Sequence, residues 1–383
     1  MSVSIDGFVA PGFEAVRDAF AANFEKGGAV QEVGAGFCAY HHGELVADLW
    51  GGYADAARSR PWRGDTLANV WSSTKGATAA AVARLVDQGL LRYEDRVSDY
   101  WPEFSQSDKS GTTIEQVMSH QAGLPGFAEP TTTADLFDWE GCVEKLARQA
   151  PSWTPGDATS YHAITYGYLA GEIIRRIDGR SPGVYLRDEI FGPLRCDFHV
   201  GLPQEHEGRV AVMVPPVKSP PSAKLPPQAI MAVVNPHLDP AAPNARDWRA
   251  AEIPAANGQA SARGLARLYA VLAQGGTIDG VSILSPEGVK RMTTPAVAPA
   301  GRQDLFLGFV DSWAMGVILN RPKVYGPNAN AFGHSGWGGS FGCADPDANV
   351  AMGYVCNQMA TDLVGDPRTA GLCRAVLEGA GKA

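Results

Sequence analysis

Strand patterns lie at both ends of this chain, and the long stretch between them has a different pattern of apolar residues. Apolar runs at 34–40 and 44–50 flank His41-His42-Gly43 and predict an early hairpin. Four more strand patterns lie near the C-terminus, at 312–319, 331–333, 341–344 and 350–357. From about 90 to 200 the pattern is helical and rich in turns. Strands at both ends with helices between them indicate one sheet assembled from both termini and interrupted by a helical insertion.

The predicted fold class is therefore α/β (α+β), an antiparallel sheet flanked by helices with an inserted, mainly helical domain. The chain has 383 residues, more than one domain usually holds. We expect residues 1–76 and 205–383 to form the sheet domain and residues 77–204 to form the inserted domain. An active site is expected between the two.

Helices are predicted from apolar spacing and from the residues that begin and end them. Residues 11–26 form an amphipathic pattern that begins at Pro11 and ends at Gly27-Gly28. Further helices are expected after Ser72, at 114–120, at 166–178, after Ser261 and after Asp366. Residues 215–243 contain nine prolines and few periodic apolar positions. We expect a long irregular loop there that forms a wall or lid of a functional site.

Composition excludes several classes of function. The net charge is −9 and there is no Lys/Arg run, which argues against a nucleic-acid partner. No apolar stretch reaches 18 residues, so we expect no membrane span. The first residues lack a signal-peptide pattern, and the six cysteines show no C-x-x-C spacing. Buried free thiols in the cytoplasm are expected, with no metal and no cofactor. The sequence does not indicate an oligomeric state.

Ser72 and Lys75 form an S-x-x-K pattern at the start of a predicted helix. The spacing puts both side chains on one helical face. A serine hydroxyl becomes a nucleophile when a neighbouring base takes its proton, and a lysine serves as that base when burial or positive charge lowers its pKa. The unpaired N–H groups of a first helical turn favour an oxyanion. The alternative is a helix-capping serine beside a solvated lysine, and this motif alone does not decide between them.

Two G-x-S-x-G patterns offer rival nucleophiles. Ser181 is followed by Pro182, which has no N–H to donate to an oxyanion. Ser340 would need a histidine later in the chain, and none follows His334. We interpret both patterns as glycine-rich turns.

Two further segments could complete a site around Ser72. Tyr161 stands just before a predicted helix, and a phenol near a lysine ammonium would have its pKa lowered and could shuttle protons. A core tyrosine is the alternative. Residues 333–340 are dense in glycine within a strand pattern, which indicates close approach of another group to the backbone. An N–H of this strand could complete an oxyanion hole, and a tight hairpin is the alternative.

Together the three segments resemble the serine β-lactamase-like superfamily, which includes class C β-lactamases, D-Ala-D-Ala carboxypeptidases and family VIII carboxylesterases. That family has S-x-x-K, Y-x-N and K-T-G motifs, or variants of them, in this order. Here they stand as Ser72-Ser73-Thr74-Lys75, Tyr161-His162-Ala163 and His334-Ser335-Gly336. Flanking segments such as 117–125 also resemble the sequences of the family, so the resemblance covers nearly the whole chain. It implies a β-lactamase/transpeptidase-like fold.

The resemblance also implies roles for these residues. Ser72 would attack the acyl carbonyl and form an acyl-enzyme, while Lys75 and Tyr161 would share the base and acid work. The N–H groups of Ser72 and Trp337 would form the oxyanion hole. His334, Ser335, Gly336 and Trp337 would contribute to substrate binding.

Two departures from the family pattern narrow the expected substrate. Ala163 replaces the asparagine of Y-x-N, and His334 replaces the lysine of K-T-G. The site thus loses an amide hydrogen-bonding group and a fixed positive charge, which favours an uncharged ester over a β-lactam carboxylate. Aromatic candidates for the substrate pocket are Phe127, Trp153, Trp248 and Trp337.

We therefore expect a serine carboxylesterase for small or short-chain acyl esters, with a small-molecule ester as its partner. A β-lactamase or D-amino-acid peptidase/amidase of the same fold is the first alternative. A non-catalytic interaction protein is the second, although the presence of Ser72, Lys75 and Tyr161 together argues against it.

Overall fold

The main sheet of the computed structural model has seven strands and draws on both ends of the chain. The structure describes residues 3–25, 30–217 and 226–381. In chain order the strands are β1 (Ile5–Val9), β2 (Gly34–His41), β3 (Glu44–Gly52), β4 (Ile318–Leu319), β5 (Phe332–Ser335), β6 (Phe341–Asp345) and β7 (Val350–Cys356). Their order across the sheet is β1-β3-β2-β7-β6-β5-β4, and every neighbouring pair is antiparallel. Because β2 pairs with β7, the two ends of the chain share one sheet, as predicted.

Helices cover both faces of this sheet and fill the middle of the chain. The α-helices of the described residues are α1 (Glu14–Glu25), α2 (Thr74–Asp87), α3 (Val97–Tyr100), α4 (Ile114–Met118), α5 (Trp139–Arg148), α6 (Thr165–Asp178), α7 (Pro182–Leu186), α8 (Gly192–Leu194), α9 (Pro227–Val234), α10 (Arg246–Ala250), α11 (Ala262–Ala273), α12 (Pro286–Thr293) and α13 (Pro367–Ala380). Short 3₁₀ turns lie at Trp71–Ser73, Pro102–Ser105, Ala134–Phe137, Gln204–Arg209 and Ala242–Asn244, and a π turn lies at Arg187–Phe191. Ala68–Asn69, Gln259–Ala260 and Phe198–His199 make a small three-stranded sheet, and Thr277–Ile278 pairs with Val281–Ser282.

The two faces of the main sheet pack against different helices. On one face α11 lies very close to β6 and β7. A Cβ added at Gly353 would lie 2.5 Å from the Ala266 nitrogen, and one at Gly342 would lie 2.3 Å from the Tyr269 ring. These two glycines therefore set the distance between helix and sheet. On the other face α1 and α13 pack together, with Phe20 and Leu372 fully buried between helices and sheet.

Helix α2 is the element that joins the sheet to the helical region. It is buried along nearly its whole length and packs against α6 and α12. Its start therefore lies where the sheet meets the helices. The division into residues 1–76 with 205–383 and residues 77–204 stays a prediction. None of the described helices combines the length and hydropathy that a bilayer span requires.

Several element bounds differ from the sequence-based expectation. Within 312–319, the last two residues alone form a strand, because Ala314 N–H bonds to the Val317 carbonyl in a turn that contains Gly316 at φ +86°. The segment 215–243 contains helix α9, which begins at Pro227, so the expected irregular loop is wrong for that part. Residues 218–225 of that segment, and the expected helix end at Gly27-Gly28, lie outside the described residues. Strand β1 is an element that the sequence patterns did not indicate.

Candidate active site

Ser72 lies in a 3₁₀ turn that runs directly into α2. The turn starts at Trp71, whose φ of +45° is left-handed, an unusual conformation for a bulky side chain. Val70 N–H bonds to the Gly258 carbonyl at 2.8 Å and anchors the turn to the small sheet. Ser73 is fully buried, whereas Ser72 is partly exposed. The fold thus presents Ser72 at a helix start and leaves its hydroxyl accessible.

Lys75 lies one helical turn further on and is completely buried. Its Nζ lies 3.1 Å from Ser72 Oγ and donates hydrogen bonds to the carbonyls of Ala163 (2.7 Å) and Ala255 (2.9 Å). Burial holds the pKa of Lys75 well below its usual range. A neutral amine has two N–H groups and one lone pair. Because the two carbonyls accept the N–H groups, the lone pair is left to face the Ser72 hydroxyl.

Tyr161 is buried beside this pair, and its ring lies under the lysine amine. Lys75 Nζ is 4.7 Å from the centroid of the Tyr161 ring. Burial raises the pKa of the Tyr161 phenol, although the neighbouring Ser72 side chain opposes the shift. The expected lowering of the Tyr161 pKa by a lysine ammonium is therefore wrong, because burial of the phenol dominates. At neutral pH this tyrosine carries its proton.

Trp313 and His120 hold the Tyr161 ring in place. Trp313 stacks on Tyr161 with centroids 5.8 Å apart, and its Nε1 donates to buried Asp304 at 2.9 Å. His120 packs against both rings, at 5.1 Å from Tyr161 and 4.1 Å from Trp313. Its Nδ1 accepts the backbone N–H of His162. No sequence pattern marked Trp313 or His120 as part of the site.

His334 lies on β5 close to this cluster and is neutral. Its Nδ1 donates to the Ser335 carbonyl at 2.8 Å, and burial, with Lys75 nearby, lowers the pKa of His334 to about 3. The third motif therefore supplies no fixed positive charge. Ser335 is also buried, and its hydroxyl is 3.3 Å from the Tyr325 hydroxyl in the core. Neither side chain lines the cavity described below.

The loop after β5 brings a second backbone donor to Ser72. A Cβ at Gly336 would lie 2.2 Å from the Val70 carbonyl, so only glycine permits this approach of β5 to the turn that carries Ser72. Gly336 N–H bonds to the Ser340 carbonyl at 2.7 Å. Among the described residues, the backbone N–H groups of Ser72 and Trp337 donate to no other protein group. Both are thus available to a ligand.

Ser72 opens into a cavity of about 290 Å³ with mainly apolar walls. It is lined by Trp71, Ser72, Tyr161, Ala163, Ile164, Ala232, Val233, Pro236, His237, Leu238, Ala256, Phe306, Trp337, Thr361 and Leu363. Ala232 and Val233 belong to α9, and Pro236 to Leu238 follow it. The described part of the proline-rich segment therefore forms a wall of this cavity, and its place at a functional site stays a prediction. Phe306 and Leu238 lie in stretches without periodic pattern, so no local signal marked them.

Three aromatic residues expected at the pocket do not line this cavity. Phe127 is buried against Tyr168, and Trp153 donates from Nε1 to the Gln121 carbonyl at 3.3 Å. Trp248 is fully buried behind Trp71, with ring centroids 5.5 Å apart. Phe127 and Trp248 thus fill the core behind the site, whereas Trp153 is only partly buried. Trp337, the fourth candidate, does line the cavity and packs against Trp71 at 5.0 Å.

The two rival serines have structural contacts. Ser340 is buried, and its hydroxyl donates to the Val70 carbonyl at 2.8 Å and lies 3.1 Å from Ser73 Oγ. It therefore ties the loop after β5 to the turn that carries Ser72. Ser181 stands before α7 and donates to Glu252 at 2.7 Å. Within the described residues, neither hydroxyl is hydrogen bonded to a basic side chain.

This fold and this arrangement of serine, lysine and tyrosine define the class of protein. A model of the beta-lactamase family matches residues 20–372, and the chain belongs to that family. It is 36% identical to the esterase/beta-lactamase LipL of Mycobacterium tuberculosis, over 94% of this chain and 84% of that protein.

Solved structures give the same assignment. The crystal structure of a family VIII carboxylesterase superposes with a TM-score of 0.91 at 46% identity, covering 97% of this chain and 98% of that one. A penicillin-binding protein homologue from Caulobacter crescentus also gives a TM-score of 0.91, at 45% identity, covering 98% of this chain and all of that one. The fold is therefore β-lactamase/transpeptidase-like, as predicted.

Proposed function

We propose that this protein is a serine carboxylesterase that hydrolyses small or short-chain acyl esters through an acyl-enzyme on Ser72. The observation that carries the proposal is the 3.1 Å approach of a buried lysine amine, whose pKa burial lowers, to a serine hydroxyl that opens into an apolar cavity. A serine held beside a general base is an activated nucleophile.

In the proposed acylation step, the Lys75 lone pair takes the proton of Ser72 Oγ as the oxygen attacks the ester carbonyl. The developing oxyanion lies against the free N–H groups of Ser72 and Trp337. Loss of one such donor typically costs about 3 kcal/mol in the barrier. Tyr161 is protonated, so it delivers a proton to the leaving alkoxide and then takes back the proton that Lys75 accepted from Ser72. A water molecule then releases the acid by the reverse sequence.

The cavity supports an uncharged ester as substrate. Its walls are mainly apolar, and at about 290 Å³ it has room for a short acyl group. His334 is neutral, and Ala163 provides no side-chain amide, so the site lacks the groups that would hold a carboxylate and an amide. The name of one relative, esterase/beta-lactamase, makes β-lactam cleavage the second candidate activity.

We further propose that the site lies between a sheet domain (1–76 with 205–383) and an inserted helical domain (77–204). Ser72 and Trp337 then come from the first and Tyr161 from the second. A cytoplasmic location is proposed on the six cysteines, all of which are buried free thiols.

The test is hydrolysis of p-nitrophenyl acetate, butyrate and laurate beside nitrocefin, with wild type and Ser72→Ala. We expect Ser72-dependent turnover that is faster on acetate and butyrate than on laurate or nitrocefin. Undiminished ester hydrolysis by Ser72→Ala would refute the mechanism, and faster turnover of nitrocefin than of every ester would refute the substrate class. Ser181→Ala is the matched serine control and should keep full activity.

A further inference from the structure

A fully buried arginine lies directly behind the loop that carries the Trp337 N–H. Arg368, in the first turn of α13, is 1% exposed, and all five of its guanidinium N–H groups are used. Nε and Nη2 donate to the two carboxylate oxygens of Asp366 (2.9 and 2.7 Å). Nη1 donates to Glu32 Oε1 and to the Gln358 carbonyl, both at 2.8 Å. The remaining Nη2 hydrogen reaches the Gly338 carbonyl at 2.6 Å.

The bond to Gly338 is the contact between this cluster and the candidate active site. Gly338 follows Trp337 directly, and its carbonyl also accepts the N–H of Ala360 at 3.0 Å. A hydrogen bond from an ionised donor is shorter and stronger than a neutral one. The arginine therefore holds the loop from inside the protein, while the opposite side of the loop faces the cavity.

Gly339 explains how the guanidinium reaches this carbonyl. Its φ is +121°, and a Cβ there would lie 2.3 Å from Arg368 Nη2 and 2.5 Å from Asp366 Oδ2. Any side chain at this position would collide with the ion cluster. The glycine after Gly338 is thus required by the arginine rather than by the substrate.

We propose that Arg368 is a positioning residue for ester hydrolysis, which sets the place of the Trp337 N–H by holding the Gly338 carbonyl. The inference rests on the proposed function, since it assigns Trp337 as an oxyanion donor. Arg368 itself touches neither Ser72 nor the cavity. A guanidinium held by two carboxylates is rigid, because its planar fork leaves it no alternative geometry. Rigid support of this kind keeps a transition-state donor within the small tolerance that catalysis needs.

The experiment compares Arg368→Lys with wild type on p-nitrophenyl butyrate and on its thionoester, in which sulfur replaces the carbonyl oxygen. Sulfur is larger and a poor hydrogen-bond acceptor, so the thionoester gains little from the oxyanion hole. Lysine keeps the charge but cannot make the same five bonds. We expect kcat on the ester to fall about tenfold or more, with KM changed less than about threefold. The thionoester rate should fall less than about threefold.

Arg175→Lys is the matched control. Arg175 also pairs with a fully buried carboxylate, Glu172, at 2.7 Å, but it lies on α6 away from the loop. We expect its ester kinetics to stay within about twofold of wild type. Equal losses on ester and thionoester in Arg368→Lys, or ester kinetics no different from those of Arg175→Lys, would overturn the inference.

Two additional measurements keep the test decisive. If Arg368→Lys does not fold, Asp366→Asn loosens the same guanidinium and should lower the ester rate selectively by a smaller factor. Labelling of Ser72 by a fluorophosphonate needs the same N–H donors for its P=O oxygen, so Arg368→Lys should slow it about tenfold even if esters are not substrates. Unslowed labelling overturns the Arg368 inference, whereas ester hydrolysis that survives Ser72→Ala overturns the proposed function.

Discussion

Lys75 and Arg368 are both fully buried cationic residues, and the fold treats them in opposite ways. Lys75 has two backbone carbonyls and a serine hydroxyl around it, and burial lowers its pKa. Arg368 has two carboxylates, Asp366 and Glu32, and its pKa is raised. A buried charge without a counter-charge neutralises, whereas one with paired, hydrogen-bonded partners persists. The first arrangement yields a base and the second yields a rigid support.

The largest effect on ester hydrolysis is expected from Lys75→Met. The variant removes the proposed base, and we expect ester kcat/KM to fall about 10⁴-fold. The pKa of Lys75 is lower in the folded protein than in the unfolded chain. Between these two pKa values the unfolded chain binds more protons, so the free energy of unfolding rises with pH across that range. Removal of the amine should therefore raise Tm at pH 7, measured by circular dichroism. A lower Tm would show that burial of Lys75 is not a cost to the fold.

Arg368→Met makes the same change at the buried cation that has carboxylate partners. It leaves Asp366 and Glu32 buried without their partner, so we expect a loss of about 3–5 kcal/mol in the free energy of unfolding. Urea unfolding followed by tryptophan fluorescence measures it. Lys75→Met is the matched comparison, and equal stability of the two variants would contradict the distinction.

Glu32 should make the free energy of unfolding depend on pH. Burial raises the pKa of Glu32 to about 7, even though Arg368 opposes the shift. The folded protein then holds a proton that the unfolded chain has lost above its ordinary value of 4.5, so stability falls as pH rises from 4.5 to 7. Glu32→Gln should remove this slope, worth at most roughly 3 kcal/mol across the window. Unfolding curves at several pH values check it, and an unchanged slope would assign the effect to another group.

The smallest effect is expected from a lysine placed at His334. His334 is buried and does not line the cavity, so burial should neutralise a lysine there as it disfavours the charge of Lys75. We expect His334→Lys to change the ratio of nitrocefin to p-nitrophenyl butyrate turnover by less than about twofold. His334→Gln, which adds no amine, is the matched control and should give the same ratio. A ratio that rises in His334→Lys alone would show that a cation at this position persists and reaches the substrate.

Local sequence patterns predicted much of the fold and the pairing of Ser72 with Lys75. The hairpin of β2 and β3 and helix α11 after Ser261 are where the apolar spacing predicted them, because one buried face leaves a regular trace. Ser261 accepts the Gly264 N–H at 3.1 Å as the helix cap. Ser72 and Lys75 meet through the geometry of a single helical turn, which needs no distant contact. The spacing of the motif therefore brings these two side chains together.

Tertiary structure decided everything that depends on residues far apart in the chain. The lowered pKa of Lys75 follows from its complete burial, to which residues 88 and 180 positions away, Ala163 and Ala255, contribute the carbonyls that Nζ contacts. The raised pKa of Tyr161, opposite to the lowering expected from the sequence, follows from burial. The cavity wall comes from α9, Phe306 and Trp337, whereas Phe127 and Trp248, which were also named from the sequence, lie in the core. Residue types and local spacing determine which chemistry is possible, but burial and distant partners set the charge of each group, and these exist only in the folded chain.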